Sequence, residues 1–159
     1  MSRRFLTTLA GLGSAGLLLA ALGFQYLGAL APCPLCITQR WPHLAAVLIA
    51  VVAFIVPARV LALAGAAAAA VTSGVGAYHF GVERRWWEGP DTCVAGEIGG
   101  KSPAELLDQI LAAPVVRCDE IAWEFLGVSM AGWNALASAG LVLIWLAAAT
   151  RRTGVRAAS

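Results

Sequence analysis

Hydrophobic positions along this chain fall into four long runs, parted by two short breaks and one long polar stretch. Phe5 to Leu30 carries no charge. Ile37 to Val56 is apolar except near its start, at Thr38, Gln39, Arg40 and His43. Val60 to Phe80 is rich in alanine, and Val128 to Ala149 is again uncharged. A helix needs about 20 residues to cross the hydrocarbon core of a bilayer, at a rise of about 1.5 Å each. The first, third and fourth runs meet that length directly. The second meets it if it begins near Cys36 and Arg40 snorkels to the interface. The pattern predicts an all-α membrane protein, a bundle of four transmembrane helices over about 5–30, 37–56, 60–80 and 128–149. Residues 1–159 then form one integral membrane domain.

The first run is too long for the apolar part of a secretory signal, typically about 7–15 residues. Ala29-Leu30-Ala31 has a cleavage-like composition, but Pro32 follows at once and disfavours cutting. Pro32 also removes the small residue that a lipoprotein site would need before Cys33. The segment is therefore expected to stay as a membrane helix.

Composition agrees with the pattern. Of 159 residues, 60% are hydrophobic and only 13% charged, about half the charge of an ordinary soluble domain. The net charge of +2 matters less than its distribution. All nine acidic residues lie between Glu83 and Glu124, while the ends and the Pro57-Ala58-Arg59 turn carry only Arg3, Arg4, Arg59, Arg151, Arg152 and Arg156. Segments alternating between two sides of a bilayer give such segregation, with the arginines on the cytoplasmic side. Both termini are then cytoplasmic. Two loops, about 31–36 and 81–127, face outward and hold Cys33, Cys36, Cys93 and Cys118. In a bacterium that side is the oxidising periplasm, where disulfides persist. Tyr26, Trp41, Tyr78, Phe80, Trp123 and Trp133 fall near the outer interface, where amphipathic rings prefer to sit. Trp145 does not fit that belt and is expected to pack in the inner half.

Candidate chemistry centres on Cys33-Pro34-Leu35-Cys36. As a helix start, Cys33 takes the cap and Pro34 the first turn, where its missing N–H costs little. The helix dipole and free N–H groups there favour a thiolate. Arg40 lies at i+4 from Cys36, on the same helix face. The pair alone fits a staple, a metal ligand pair or a redox centre. Cys93 and Cys118 are 25 positions apart, and bridging them would stabilise the loop by about 3–4 kcal/mol in the chain-entropy picture. Alone they read as a structural staple; beside a reactive Cys-x-x-Cys they also fit the second dithiol of an exchange relay. Four thiolates could also bind zinc, but the second pair is widely split and the compartment is oxidising. Between them, Ser102-Pro103-Ala104-Glu105 has the form of a capping box. Leu106, Leu107, Ile110 and Leu111 follow at helical spacing, predicting a short amphipathic helix. His43 and His79, near outer helix ends, are candidates for ligand contact or simple hydrogen bonding. Glu83, with Arg84 and Arg85, is expected to be a solvated helix end.

Three features together resemble the disulfide bond formation protein B (DsbB) family. One is Cys33-Pro34-Leu35-Cys36 with Arg40 four residues on. Another is the run from Cys118 through Trp123, Phe125, Leu126, Gly127, Met130 and Trp133. The third is the four-helix layout with one short and one long outer loop. The resemblance implies a quinone-dependent thiol-disulfide oxidoreductase of the bacterial inner membrane, active in periplasmic protein folding. It implies ubiquinone or menaquinone as cofactor and a periplasmic DsbA-like thioredoxin-fold partner, with no nucleic-acid partner. It implies that the partner attacks a Cys93–Cys118 disulfide at Cys93, that Cys118 then attacks Cys33, and that Cys36 is freed as a thiolate beside Arg40. Met130 and His79 would stand near the quinone. One position departs: residue 39 is glutamine, where some members carry an acid, which removes a charge beside the thiolate. The rival reading is a non-catalytic membrane protein with structural disulfides or a cysteine-ligated metal.

Overall fold

The structure, a computed structural model, describes residues 1–90, 102–104, 107 and 116–151. Four helices carry the fold: α1 (Arg3–Tyr26), α2 (Pro34–Ile55), α3 (Arg59–Glu83) and α4 (Met130–Thr150). All four are long and apolar enough to cross a membrane, which makes this a multi-pass membrane protein. Each packs on two neighbours, in the cyclic order α1, α2, α3, α4. Leucines such as Leu12, Leu19, Leu48 and Leu143 point outward and are well exposed, as a lipid-facing surface requires.

Helix ends differ from the apolar runs for local reasons. α1 stops at Tyr26, not Leu30: Gly28 bonds back to the Gly23 carbonyl at 3.1 Å and Ala29 turns left-handed at φ 53°. Pro32 and Pro34 then prevent any continuation. α2 begins at Pro34, three residues before the apolar run, because Cys33 caps it and its Sγ accepts from the Cys36 N–H at 3.2 Å. α3 continues to Glu83, past Phe80, because Glu83 is buried. α4 begins at Met130 rather than Val128, capped by Ser129. Val128 belongs instead to a small antiparallel hairpin, β1 (Glu124–Phe125) with β2 (Val128–Ser129). Its two-residue loop places Leu126 at φ 52° and Gly127 at φ 75°, the twist of a primed hairpin turn. The amphipathic helix predicted after Ser102 falls mostly outside the described residues; Pro103, Ala104 and Leu107 are helical.

The core uses small residues. Ala10, Ala50, Ala62, Ala66, Ala69 and Ala148 pack with Leu6, Leu141 and a fully buried Trp145. Trp145 packs inside the bundle, in the core cluster shared with residues of α1 and α3. At one end of the bundle, Arg3 donates to the Pro57 carbonyl at 2.9 Å, the Ala148 carbonyl at 3.1 Å and the Arg151 carbonyl. A second buried cluster, Cys33, Leu35, Val82 and Cys118, forms the opposite end.

Candidate active site

Cys33 stands at the centre of that second cluster. As the cap of α2 it is held by its own helix, and the residue is only 3% exposed. Cys33 and Cys36 are free thiols, with Cys33 Sγ donating to Cys36 Sγ at 2.8 Å. That hydrogen bond, together with burial, holds the Cys33 thiol far above its ordinary value. The proton of the pair therefore sits on Cys33, and Cys36 is the sulfur that accepts. Cys118 is fully buried and disulfide-bonded. Its Sγ, the Cys33 Sγ and a ring nitrogen of His79 lie within 4.8 Å of one another. A sulfur, a nitrogen and a sulfur at that spacing resemble three metal ligands. A sulfur already in a disulfide is not a thiolate, however, and the thiolate is the metal-binding form.

His79 comes from the last turn of α3, with Nε2 at 3.5 Å from Cys33 Sγ and Nδ1 at 3.0 Å from Gln39 Nε2. Glu83, one turn on, lies 3.8 Å from His79 Nε2 and accepts from the Ser129 hydroxyl. The expectation of a solvated Glu83 is therefore wrong. Ser129 and His79 face its carboxylate, while Arg84 turns away to Glu124 at 3.2 Å. Beyond Cys118, Arg117 and Asp119 form an exposed pair at 2.7 Å, which draws the Asp119 carboxyl below its usual range.

An apolar cavity of about 480 Å³ opens beside the thiols. Cys33, Cys36, Arg40, His43, His79 and Met130 line it, with Trp123, Trp133 and Asn134. Arg40 donates to Gln25 Oε1 at 2.5 Å and reaches the Ala21 carbonyl at 3.5 Å, which turns it toward α1. Among the described residues its Nε is buried with no partner, as is Nδ1 of His43. Of the residues singled out in the sequence, the structure brings together Cys33, Cys36, Cys118, Arg40, His79 and Met130; Cys93 lies outside the described residues. Sequence reasoning missed Asn134, which donates to Gln39 Oε1 at 2.7 Å and faces His43 Nε2 at 2.9 Å. An amide inside an otherwise apolar span was the available clue, because polar groups at that depth are costly unless used.

A dithiol, a third sulfur within reach and an apolar cavity beside them suit thiol–disulfide exchange coupled to a membrane-soluble oxidant. A sequence profile of the family described as disulfide bond formation protein DsbB matches residues 3–148. A disulfide bond formation protein B from Dechloromonas aromatica is 35% identical over 144 residues, covering 83% of each chain. Those from Polaromonas sp. and Albidiferax ferrireducens are 29% and 32% identical, covering 95% and 98% of this chain and 92% of each of theirs. The chain therefore belongs to the DsbB family of disulfide bond formation proteins, and that membership makes it a thiol oxidoreductase.

Proposed function

We propose that this protein takes electrons from the dithiol of a periplasmic DsbA-like thioredoxin-fold protein and passes them to a quinone of the inner membrane. The observation that carries the reading is the position of the Cys33 sulfur. It meets Cys36 on one side and lies within 4.8 Å of Cys118 on the other, at the wall of a cavity of about 480 Å³.

Cys118 pairs with Cys93 in this proposal. The partner's thiolate attacks Cys93, and Cys118 leaves as a thiolate. Cys118 then attacks Cys33 of a Cys33–Cys36 disulfide, and Cys36 leaves. The partner's second thiol closes the partner's own disulfide and frees Cys93. Cys93 recaptures Cys118, which releases Cys33. The reduced Cys33–Cys36 pair gives up two electrons and two protons and closes again.

A quinone fits the cavity. The volume is within the usual range for small-molecule sites, about 300–1,000 Å³. Arg40 Nε is a buried donor without a partner, suited to a carbonyl oxygen. His43 Nδ1 is a buried group without a partner whose other nitrogen faces Asn134 Oδ1, so it can accept from a hydroxyl. Met130 and Trp133 supply apolar contact. When bound, a quinone supplies the acceptor for two electrons and two protons. Arg40 orients its oxygen and offsets negative charge near Cys36, and the apolar walls exclude water.

Purified protein should oxidise a reduced thioredoxin-fold partner only when quinone is present. Cys33→Ser and Cys36→Ser should each abolish turnover, and full activity in either would sink the relay. The rival reading, a structural or metal-binding role, predicts instead a fold that loosens when a chelator is added.

A further inference from the structure

Below the thiols, a buried chain of side-chain amides crosses from α4 to α2 to α3. Its direction is fixed by groups that can only accept. Gln39 Nε2 lies 3.2 Å from the Leu35 carbonyl oxygen, so that end of the amide is the NH₂. The same NH₂ lies 3.0 Å from His79 Nδ1. Two donors cannot face each other there, so Nδ1 carries the lone pair and the ring proton of neutral His79 is on Nε2. The other end agrees. Gln39 Oε1 accepts from Asn134 Nδ2 at 2.7 Å, which also donates to Thr72 Oγ1 at 3.2 Å. Thr72 sends its own proton to the Gln39 carbonyl at 3.1 Å. Two backbone carbonyls, Leu35 and Gln39, thus orient the whole chain.

The proton on His79 Nε2 faces the exchange site. Cys33 Sγ is 3.5 Å away, the Cys118 backbone hydrogen-bonds the ring, and Glu83 Oε1 lies 3.8 Å from the same nitrogen, so the sulfur shares the proton with two oxygen-bearing groups. The sulfur can receive it. Cys33 gives its own proton to Cys36, so its lone pairs are open to the Cys36 N–H at 3.2 Å and to His79. We infer that Gln39 is a positioning residue: it holds His79 in the Nε2–H form, so that the ring donates to the Cys33 sulfur as Cys118 gives it up. This rests on the exchange proposed above between Cys118 and Cys33. Glutamine at position 39 is then more than the loss of a charge. Its NH₂ sets which way the histidine points its proton.

The test uses the full-length protein in detergent at about pH 8, with Cys33 and Cys36 reduced, nitrogen-15 in its histidines, and neither quinone nor partner added. The resonances lost in His79→Asn identify His79. They should report a protonated Nε2 and a bare Nδ1. Gln39→Met, similar in size but without the donor, should give a mixture of the two forms. Gln39→Glu, of the same shape, presents a carboxylate oxygen and should put a proton on Nδ1, which keeps the test decisive if the methionine variant folds poorly. A proton on Nδ1 in the unaltered protein, or a bare Nδ1 in both variants, would overturn the assignment. In rapid mixing, electron transfer from the loop pair to Cys33–Cys36 should slow about tenfold in Gln39→Met, the effect of losing one hydrogen bond to a charged group. Equal transfer rates would overturn the positioning role. The spectrum needs no turnover, so an unaltered protein that lacks oxidase activity would defeat the functional reading and not the tautomer.

Discussion

At the scale of single residues, two buried polar atoms of cavity-lining residues lack a partner among the described residues, Arg40 Nε and His43 Nδ1. Arg40 is the clearest case. Two of its nitrogens are used on Gln25 and Ala21, while Nε is buried without a partner. Arg40→Lys keeps the charge but loses the planar fork. It should raise the quinone KM about tenfold, since a hydrogen bond involving a charged group is worth about 1.5–3 kcal/mol, and leave the Cys118 disulfide intact. Unchanged quinone kinetics would make Arg40 a plain membrane anchor. Cys33 gives a pH prediction. Its thiol is held up chiefly by the hydrogen bond it donates to Cys36 and then by burial. A raised thiol value means less thiolate at any given pH, so alkylation of Cys33 should be slow up to pH 9 and above. Cys36→Ala removes the main cause and should bring the titration down toward the ordinary thiol range. Each unit is a tenfold gain in thiolate, so alkylation at pH 8 should speed up by about tenfold or more. A rate that stays flat between the two proteins would show that burial alone holds the proton. That Cys33, Cys36 and Arg40 would share one neighbourhood was legible, because they follow one another at the start of a single helix; their roles in a relay are the proposal made above. Glu83 and Asn134 were not: the burial of Glu83 and the partners of Asn134 depend on Ser129 and on α2, which are distant in sequence.

At the scale of elements, the apolar runs foretold four helices, but not their ends. Those ends are set by local features that hydropathy does not report: the Cys33 cap, left-handed Ala29, and a hairpin that claims Val128. The hairpin escaped notice because its turn uses Leu126-Gly127 rather than the Asn-Gly or Asp-Gly pairs that advertise such turns. Packing between helices depends on small residues. A Cβ built on Gly65 would lie 2.5 Å from the ring of Trp145, which is fully buried and has no room to move. Gly65→Ala should therefore part α3 from α4 and destabilise the protein by about 1–3 kcal/mol. Gly74, in the same helix, meets nothing within 4 Å. Gly74→Ala should be neutral or stabilising, by up to about 1 kcal/mol from helix propensity. Thermal unfolding in detergent compares the two directly. Equal loss in both would mean that α3 tolerates no methyl group anywhere, and that the contact with Trp145 is not the cause.

At the scale of the whole molecule, the bundle has two chemically distinct ends. Arg3 gathers the carbonyls of Pro57, Ala148 and Arg151 at one end, where Arg4 and Arg59 also lie. The cationic side chain of Arg3 there meets the C-terminal ends of α2 and α4, the negative ends of their dipoles. The thiols, Glu83 and the hairpin occupy the other end. Relay chemistry needs the thiol end in an oxidising compartment, because in a reducing one the loop disulfide would not persist. The positive-inside tendency would send the arginine end to the cytoplasm, so the two requirements call for the same orientation. An enzyme reporter that matures only outside the cytoplasm tests it. Fused after Pro90, beyond α3, the reporter should be active. Fused after Arg151, beyond α4, it should be inactive, and a reporter that works only in the cytoplasm should give the opposite pattern. Removing Arg3, Arg4 and Arg59 together should weaken the preference and give a mixture at both sites. The inverse result in the unaltered protein would place Cys33, Cys36 and Cys118 among cytoplasmic reductants. No exchange relay could run there as an oxidase, however well its sulfurs are aligned.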